Sequence, residues 1–381
     1  MIKILFVTTT LDGGGAEKIL LETVKELSFL KKYEIHVLSI LGRGIYCDEI
    51  KQFVKYSYIF KNRFSKKFNR VYFSLLLRLL KIIPAQIQHK IFVKMKYDLE
   101  IAFLEGAPTK LVSGGNAKKF AWVHVDPISF PNSKKAYIFP FMEKITYKKY
   151  DKILCVSSDV RKNMITKFSL NEKNIFFQMN ILNEKQVIKK SVEYIPADIS
   201  NGINLVTIGR LAPQKNYGML LKVVNELINE DNIDFKLYII GEGEERNDLQ
   251  EFINTNHLDN NVFLLGFIDN PYPYIKYSDL FVCSSIAEGF STAVTESLIL
   301  GVPVVTTDCA GMRDLLGNSE YGIICENSYK GLYESLYMIL TNNDLLKQYK
   351  SKAKERSNYF SKEKRINEVI DLLEQKDVIY E

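Results

Sequence analysis

Residues 203–216 read INLVTIGRLAPQKN. An almost unbroken apolar run ends at Gly209, passes through a short loop carrying Arg210 and Lys215, and opens at Tyr217 into a helical pattern. A strand covered on both faces needs such a continuous apolar run, and a glycine after it lets the backbone turn sharply into a helix. The chain begins with the same grammar, IKILFVT running into TTLDGGGAEK. Further apolar runs at 34–40, 99–104, 120–125, 152–157 and 175–179 alternate with helical patterns, as do runs at 235–240, 261–265, 280–284, 303–306 and 322–325. Alternation of this kind predicts βαβ units and parallel sheets. A single core rarely grows past about 250–300 residues, and this chain has 381. Since the pattern restarts near residue 190, the expectation is an α/β chain of two doubly wound domains, 1–190 and 191–361. Each should have a ligand crevice at its strand C-terminal ends. The boundary is expected within 180–202, and the terminal helix, 362–381, is expected to pack back on the first domain.

Composition excludes several classes. At 46% hydrophobic and 12% aromatic residues the chain is an ordinary folded protein. The longest stretches without a charge, 199–209 and 297–307, are eleven residues, whereas a membrane-spanning helix needs roughly twenty. The N-terminus runs straight into a strand pattern, without the apolar core and cleavage site of a signal peptide. Cys47, Cys155, Cys283, Cys309 and Cys325 are scattered, and neither a disulfide framework nor a C-x-x-C metal site fits their spacing. A reduced, cytoplasmic protein is expected.

The net charge of +6 conceals a split. Residues 1–190 hold 34 Lys/Arg against 16 Asp/Glu, whereas residues 191–381 hold 17 against 29. Two halves so different in charge should face different partners. Within the basic half, residues 61–97 carry ten Lys/Arg and no Asp or Glu. Cations there, including Lys66, Lys67 and Arg70, interleave with Phe73, Leu75, Leu76, Leu79 and Ile82. That mixture suits an interfacial helix on an anionic membrane. The competing reading packs 75–80 into the first domain with solvated cations. Nucleic acid is disfavoured, because no binding module is recognisable.

Three motifs carry chemistry. The glycines of Asp12-Gly13-Gly14-Gly15-Ala16-Glu17-Lys18 open a helix, whose first N–H groups favour an anion. Arg210 and Lys215 stand between a strand end and a helix start, where two cations suit a diphosphate. In SSIAEGFSTAVTE, residues 284–296, Glu288 ends a loop and Glu296 lies within the next helix. A carboxylate among Val294, Leu298 and Leu300 needs a hydrogen-bonded partner, which a ribose diol would supply.

These residues, with W-V-H-V-D at 122–126, I-I-G-E-G-E-E at 239–245, L-L-G-F at 264–267 and E-G-F-S-T-A-V-T-E-S-L-I-L-G-V-P-V-V at 288–305, resemble the retaining glycosyltransferases of family 4. The resemblance implies the GT-B fold, two Rossmann-like parallel-sheet domains facing a central cleft, with the acceptor in the first and a nucleotide sugar in the second. It implies that Arg210 and Lys215 bind the nucleotide diphosphate, that Glu288 faces the donor sugar and that Glu296 holds the ribose. Phe290, Ser291 and Thr292 match the loop on sugar and phosphate. Gly266, Phe267, Gly241 and Gly243 match the base-binding strand ends, and Gly14 and Gly15 a phosphate-meeting loop. His124 matches the active-site histidine, with Asp126 beside it on the acceptor side. The segment at 179–183, MNILN, departs from the family's asparagine-proline-rich linker.

The implied reaction moves a hexose or N-acetylhexosamine from a UDP-sugar, with retention, to a glycolipid or polyprenyl-linked saccharide in surface polysaccharide synthesis. No D-x-D motif ends a strand, so no metal or other cofactor is expected. The site of action is expected to be the inner face of the cell membrane, peripherally bound. Other GT-B nucleotide-sugar enzymes, such as a 2-epimerase or a phosphorylase, and a non-catalytic membrane-binding protein retaining the fold remain open alternatives.

Overall fold

The computed structural model describes residues 1–61, 66–129, 136–199 and 201–374, without the side chains of 66–71 and 73. The proposed roles of Lys66, Lys67, Arg70 and Phe73, and the last residues of the expected terminal helix, therefore lie outside the described residues. The chain divides into two compact units, Met1–Ile181 with Glu363–Glu381, and Leu182–Lys362.

The first unit is built on strands β1 (Ile2–Thr8), β2 (Tyr33–Gly42), β3 (Lys55–Lys61), β4 (Leu99–Ala102), β5 (Lys118–Val123), β6 (Lys152–Cys155) and β7 (Ile175–Phe177). They form one parallel sheet in the order β3-β2-β1-β4-β5-β6-β7. The second unit holds β8 (Asn204–Ile208), β9 (Lys236–Ile240), β10 (Val262–Gly266), β11 (Leu280–Cys283), β12 (Val304–Thr307) and β13 (Ile323–Cys325). Their order is β10-β9-β8-β11-β12-β13, again parallel. Both units are Rossmann-like, as expected. In each, the strand order reverses beside the first strand, at β1/β4 and β8/β11, and ligands of such sheets sit at that reversal.

Strand β3 is the one absent from the sequence reading. Its residues, KYSYIFK, are half-buried or exposed along their whole length. An edge strand lacks the continuous apolar signature of a central one.

The two units divide between Ile181 and Leu182, inside the expected range 180–202. The helix Glu184–Lys190 joins the second unit, where Asn270 Nδ2 donates to Lys190 O at 2.9 Å and Lys362 N donates to Glu184 Oε2 at 3.0 Å. The terminal helix Lys362–Glu374 lies against the first unit. There Lys152 Nζ donates to Leu372 O at 2.7 Å, and Tyr33 Oη donates to Glu374 Oε1 at 3.0 Å.

The basic helix Lys66–Ile82 packs Leu76, Leu77 and Leu80 against Ile40, Leu41 and Phe60. Its C-terminal carbonyls are held from below. Buried Lys110 donates Nζ to Leu80 O at 2.8 Å and Lys81 O at 2.7 Å, while Gln88 Nε2 donates to Leu80 O at 2.6 Å and Ile83 O at 2.8 Å. A cation at a helix C-terminus is favourable. With that end pinned, Leu75 at 53%, Leu79 at 56% and Ile82 at 69% remain exposed. One face of this helix thus packs into the first unit, as the competing reading expects, and the other stays exposed.

Two glycines close the strand tips of the second unit. Gly241 has φ +148°, and a Cβ there would stand 1.9 Å from Gly209 O. A Cβ at Gly243 would stand 2.0 Å from Leu211 O. Gly241→Ala should therefore destabilise the protein by more than about 2 kcal/mol, from strain and collision. Gly218→Ala, on the first turn of the helix Tyr217–Asn229 with nothing within 4 Å of the new methyl, should stabilise by about 0.4–1 kcal/mol. Urea unfolding of both variants checks the pair, and a G241A midpoint equal to wild type contradicts it.

Candidate active site

Two loops meet at the β8/β11 reversal, and their backbones are stitched together. Ile286 N donates to Gln214 O at 2.8 Å, Gln214 Nε2 to Ala287 O at 2.6 Å and Ser284 Oγ to Lys215 O at 2.8 Å. This stitching carries Lys215 Nζ to 2.7 Å from Glu288 Oε1. Ser285 Oγ donates to the same oxygen at 2.7 Å. Burial works against the lysine's charge, yet the carboxylate beside it holds the Lys215 ammonium above the ordinary lysine range. A recess borders the Lys215 end of this pair, lined among others by Lys215, Tyr217, Cys283, Ser285 and Ser291.

The remaining sequence candidates of this unit fall around the same strand ends. Arg210 follows β8, is exposed, and makes no ion pair among the described residues; a cation at that position is available to an anion. Phe290 and Ser291 are buried. Ser291 Oγ caps the helix Thr292–Ile299 by accepting from Val294 N at 3.4 Å, so this hydroxyl already serves the fold. The first N–H groups of that helix remain an anion-favouring feature. Glu296 is 6% exposed within the helix, and its Oε1 accepts from Tyr272 Oη at 3.0 Å. The partner demanded by burial is thus supplied in part by the protein. Tyr272, in NPYPY, carries no helical or strand signature that would have pointed to it. Gly266, with φ +76°, bends the chain after β10 and leaves Phe267 70% exposed.

In the first unit, β5 delivers His124 into a closed aromatic setting. Its ring lies 4.6 Å from Phe103 and is stacked at 6.0 Å on Trp122. Burial pulls its pKa down to about 3, so the imidazole is neutral at physiological pH. Among the described residues its Nε2 has no partner, leaving one ring nitrogen free to take or give a hydrogen bond. Glu105, which the sequence reading missed, fixes the backbone here. Its Oε1 accepts from Val125 N at 2.9 Å and also from His124 N. Burial raises the Glu105 pKa, and these backbone donors offset part of that rise. Asp126 is 2% exposed, and its oxygens accept from Ile128 N at 3.2 Å, Ser129 N at 3.0 Å and Asn163 Nδ2 at 2.8 Å. Its carboxylate thus shapes the loop after His124. Gly14 and Gly15 sit at the start of the helix Gly15–Phe29, with Gly14 in the N-cap position.

Residues 198–356 match the family model of glycosyl transferases group 1. An N-acetylgalactosamine-N,N'-diacetylbacillosaminyl-diphospho-undecaprenol 4-alpha-N-acetylgalactosaminyltransferase of Campylobacter jejuni is 32% identical over 61% of this chain and 62% of its own length. A poly(ribitol-phosphate) alpha-N-acetylglucosaminyltransferase of Staphylococcus aureus is 25% identical over 63% of this chain and 47% of its own length. The chain therefore spans less than two thirds of these curated relatives. In fold, the likeness is nearly complete. The Anabaena protein HepE, solved with UDP and glucose, superposes with a TM-score of 0.75 at 16% identity, covering 98% of this chain and 100% of that one.

Glu143, on the helix Pro140–Tyr147, is 4% exposed. Burial pushes its pKa up to about 7 from 4.5, with Lys167 opposing and Glu105 adding. A raised carboxyl pKa means that the folded chain keeps a proton the unfolded chain releases. Its favourable contribution is whole below about pH 4.5 and is lost as pH rises toward about 7. Glu143→Gln should therefore melt above wild type at pH 8, with the gap closing by pH 4.5. Calorimetry at the two pH values checks this, and a gap independent of pH removes Glu143 as its source.

Proposed function

With residues 198–356 matching the family model of glycosyl transferases group 1, we propose that the chain is a retaining glycosyltransferase. It moves a hexose or N-acetylhexosamine from a UDP-sugar to a membrane-associated glycolipid or polyprenyl-linked saccharide in surface polysaccharide synthesis. The observation that carries this reading is the Lys215–Glu288 pair beside a recess at the strand reversal of the matched unit. Lys215, Arg210 and the helix N-terminus at Thr292 neutralise the departing diphosphate, where negative charge grows during transfer. Glu288 meets the sugar hydroxyls, and Glu296, steadied by Tyr272, meets the ribose. Gly241, Gly266 and Phe267 flank the base, and Phe290, Ser291 and Thr292 contact sugar and phosphate. His124, held neutral, offers a hydrogen bond to the sugar, and Gly14 and Gly15 offer N–H groups to phosphate. As the bond from the anomeric carbon to diphosphate breaks, the acceptor oxygen bonds to that carbon from the same face. Its proton passes to a phosphate oxygen of the leaving group. No metal is assigned a part.

The acceptor side of the proposal rests on the first unit's exposed Leu75, Leu79 and Ile82 on a helix whose flanks are basic. Among the described residues no helix is long and apolar enough to cross a membrane. Association with an anionic surface would be peripheral, each Lys or Arg contributing about 1 kcal/mol. The polyprenyl-diphosphate acceptor named for the Campylobacter relative supports the choice of lipid-linked substrate.

Incubation with a panel of nucleotide sugars and a lipid extract should release UDP and give a product with the donor's anomeric configuration by NMR. Arg210→Ala should lower turnover by about 10²–10³-fold, the usual loss of one charge-stabilising donor, at nearly unchanged melting temperature. Activity should persist in a chelator; activity lost there and restored by manganese refutes the metal-free assignment. Wild type should float with anionic vesicles at low salt and be released at high salt. The Leu75→Asp/Leu79→Asp variant should stay in solution, and its flotation at wild-type level would sink the membrane reading.

A further inference from the structure

The residue that controls the geometry of Glu288 is not one of those the family resemblance points to. Ser285 is 1% exposed and bonds in two directions at once. Its carbonyl accepts from Thr307 Oγ1 at 2.6 Å, Cys309 Sγ at 2.8 Å and Asn327 Nδ2 at 3.3 Å. These donors come from the segments that follow β12 and β13 or end β12, so the backbone at 285 is pinned from neighbouring strand tips. Its hydroxyl then donates to Glu288 Oε1 at 2.7 Å, the oxygen that Lys215 also holds at 2.7 Å. Among the described residues no donor reaches Glu288 Oε2. One carboxylate oxygen is held twice and the other is left to accept from outside the protein.

Resting on the transferase reading above, we propose that Ser285 is a positioning residue of donor recognition. It fixes the Glu288 carboxylate so that Oε2 is presented to a hydroxyl of the donor sugar. Without its hydroxyl, Lys215 becomes the sole anchor and either oxygen can turn toward it, so the acceptor loses its preset direction. A preset acceptor spares ordering on sugar binding, and misplacement by a fraction of the bond length costs rate. The effect is confined to ligands that carry the donor sugar, because UDP alone lacks the sugar hydroxyls that Glu288 meets, its ribose diol being assigned to Glu296.

Ser285→Ala removes the hydroxyl and leaves the carbonyl hub intact. It should lower kcat/KM for the UDP-sugar about tenfold while UDP binding, read by calorimetry, stays at wild-type strength. Ser285→Cys, which keeps a weaker donor of similar size, should fall between the two. In a Glu288→Ala background the Ser285→Ala change should cost nothing further, since coupled residues are non-additive. Wild-type turnover in S285A overturns this inference alone. So does a parallel loss of UDP binding, which marks the hydroxyl as merely structural, and so does an additive loss in the E288A background. A wild-type protein that neither binds UDP nor cleaves any UDP-sugar overturns the transferase reading, and this inference with it.

Discussion

A lysine ammonium and a glutamate carboxylate 2.7 Å apart, Lys215 and Glu288, hold the candidate site in place. Both side chains are largely shielded, at 22% and 10% exposure. Removing two charges from water is expensive, and their attraction offsets that cost only when geometry and further hydrogen bonds are good. Here the further bonds exist, from Ser285 to the carboxylate and from the stitching of both loops through Gln214 and Ser284. Taking away either partner would leave a buried charge alone. The pair thus ties the loop after β8 to the loop after β11, across the place where the strand order turns.

The first unit solves a different electrostatic problem. His124 is kept neutral by burial between Phe103 and Trp122, so no charged partner is required. Glu105 and Asp126 spend their carboxylates on backbone N–H groups of the same turn. Both carboxylates thus shape the loop, while among the described residues Nε2 of His124 stays unpaired. The basic helix follows the same economy. Lys110 and Gln88 fix its end from inside, and the apolar residues not needed for packing face outward.

Twelve of the thirteen strands, the two parallel sheets, and the placing of Arg210 and Lys215 after one strand and of Glu288 after another were legible beforehand. Central strands and glycine-bounded loops leave local signatures, because both-face burial and tight turning each restrict residue type directly. The exposed edge strand β3 left none. Neither did Tyr272, Glu105 or Ser285, whose importance comes from what they touch: Glu296, the backbone of 124–125, and Glu288. The first two bonds join residues 20 or more positions apart. The bond from Ser285 to Glu288, though local, depends on a backbone fixed by Thr307, Cys309 and Asn327. Such long-range contacts have no periodicity to betray them.

The order of apolar runs and glycine loops in the chain was enough to specify two parallel α/β units and which loops end their strands, since these are consequences of local backbone and burial chemistry. Which oxygen of Glu288 is held, that the helix around Glu296 already contains a tyrosine partner, and that the 184–190 helix joins the second unit were settled only when the chain folded. Each depends on distances between segments far apart in sequence, and packing, not composition, sets those distances.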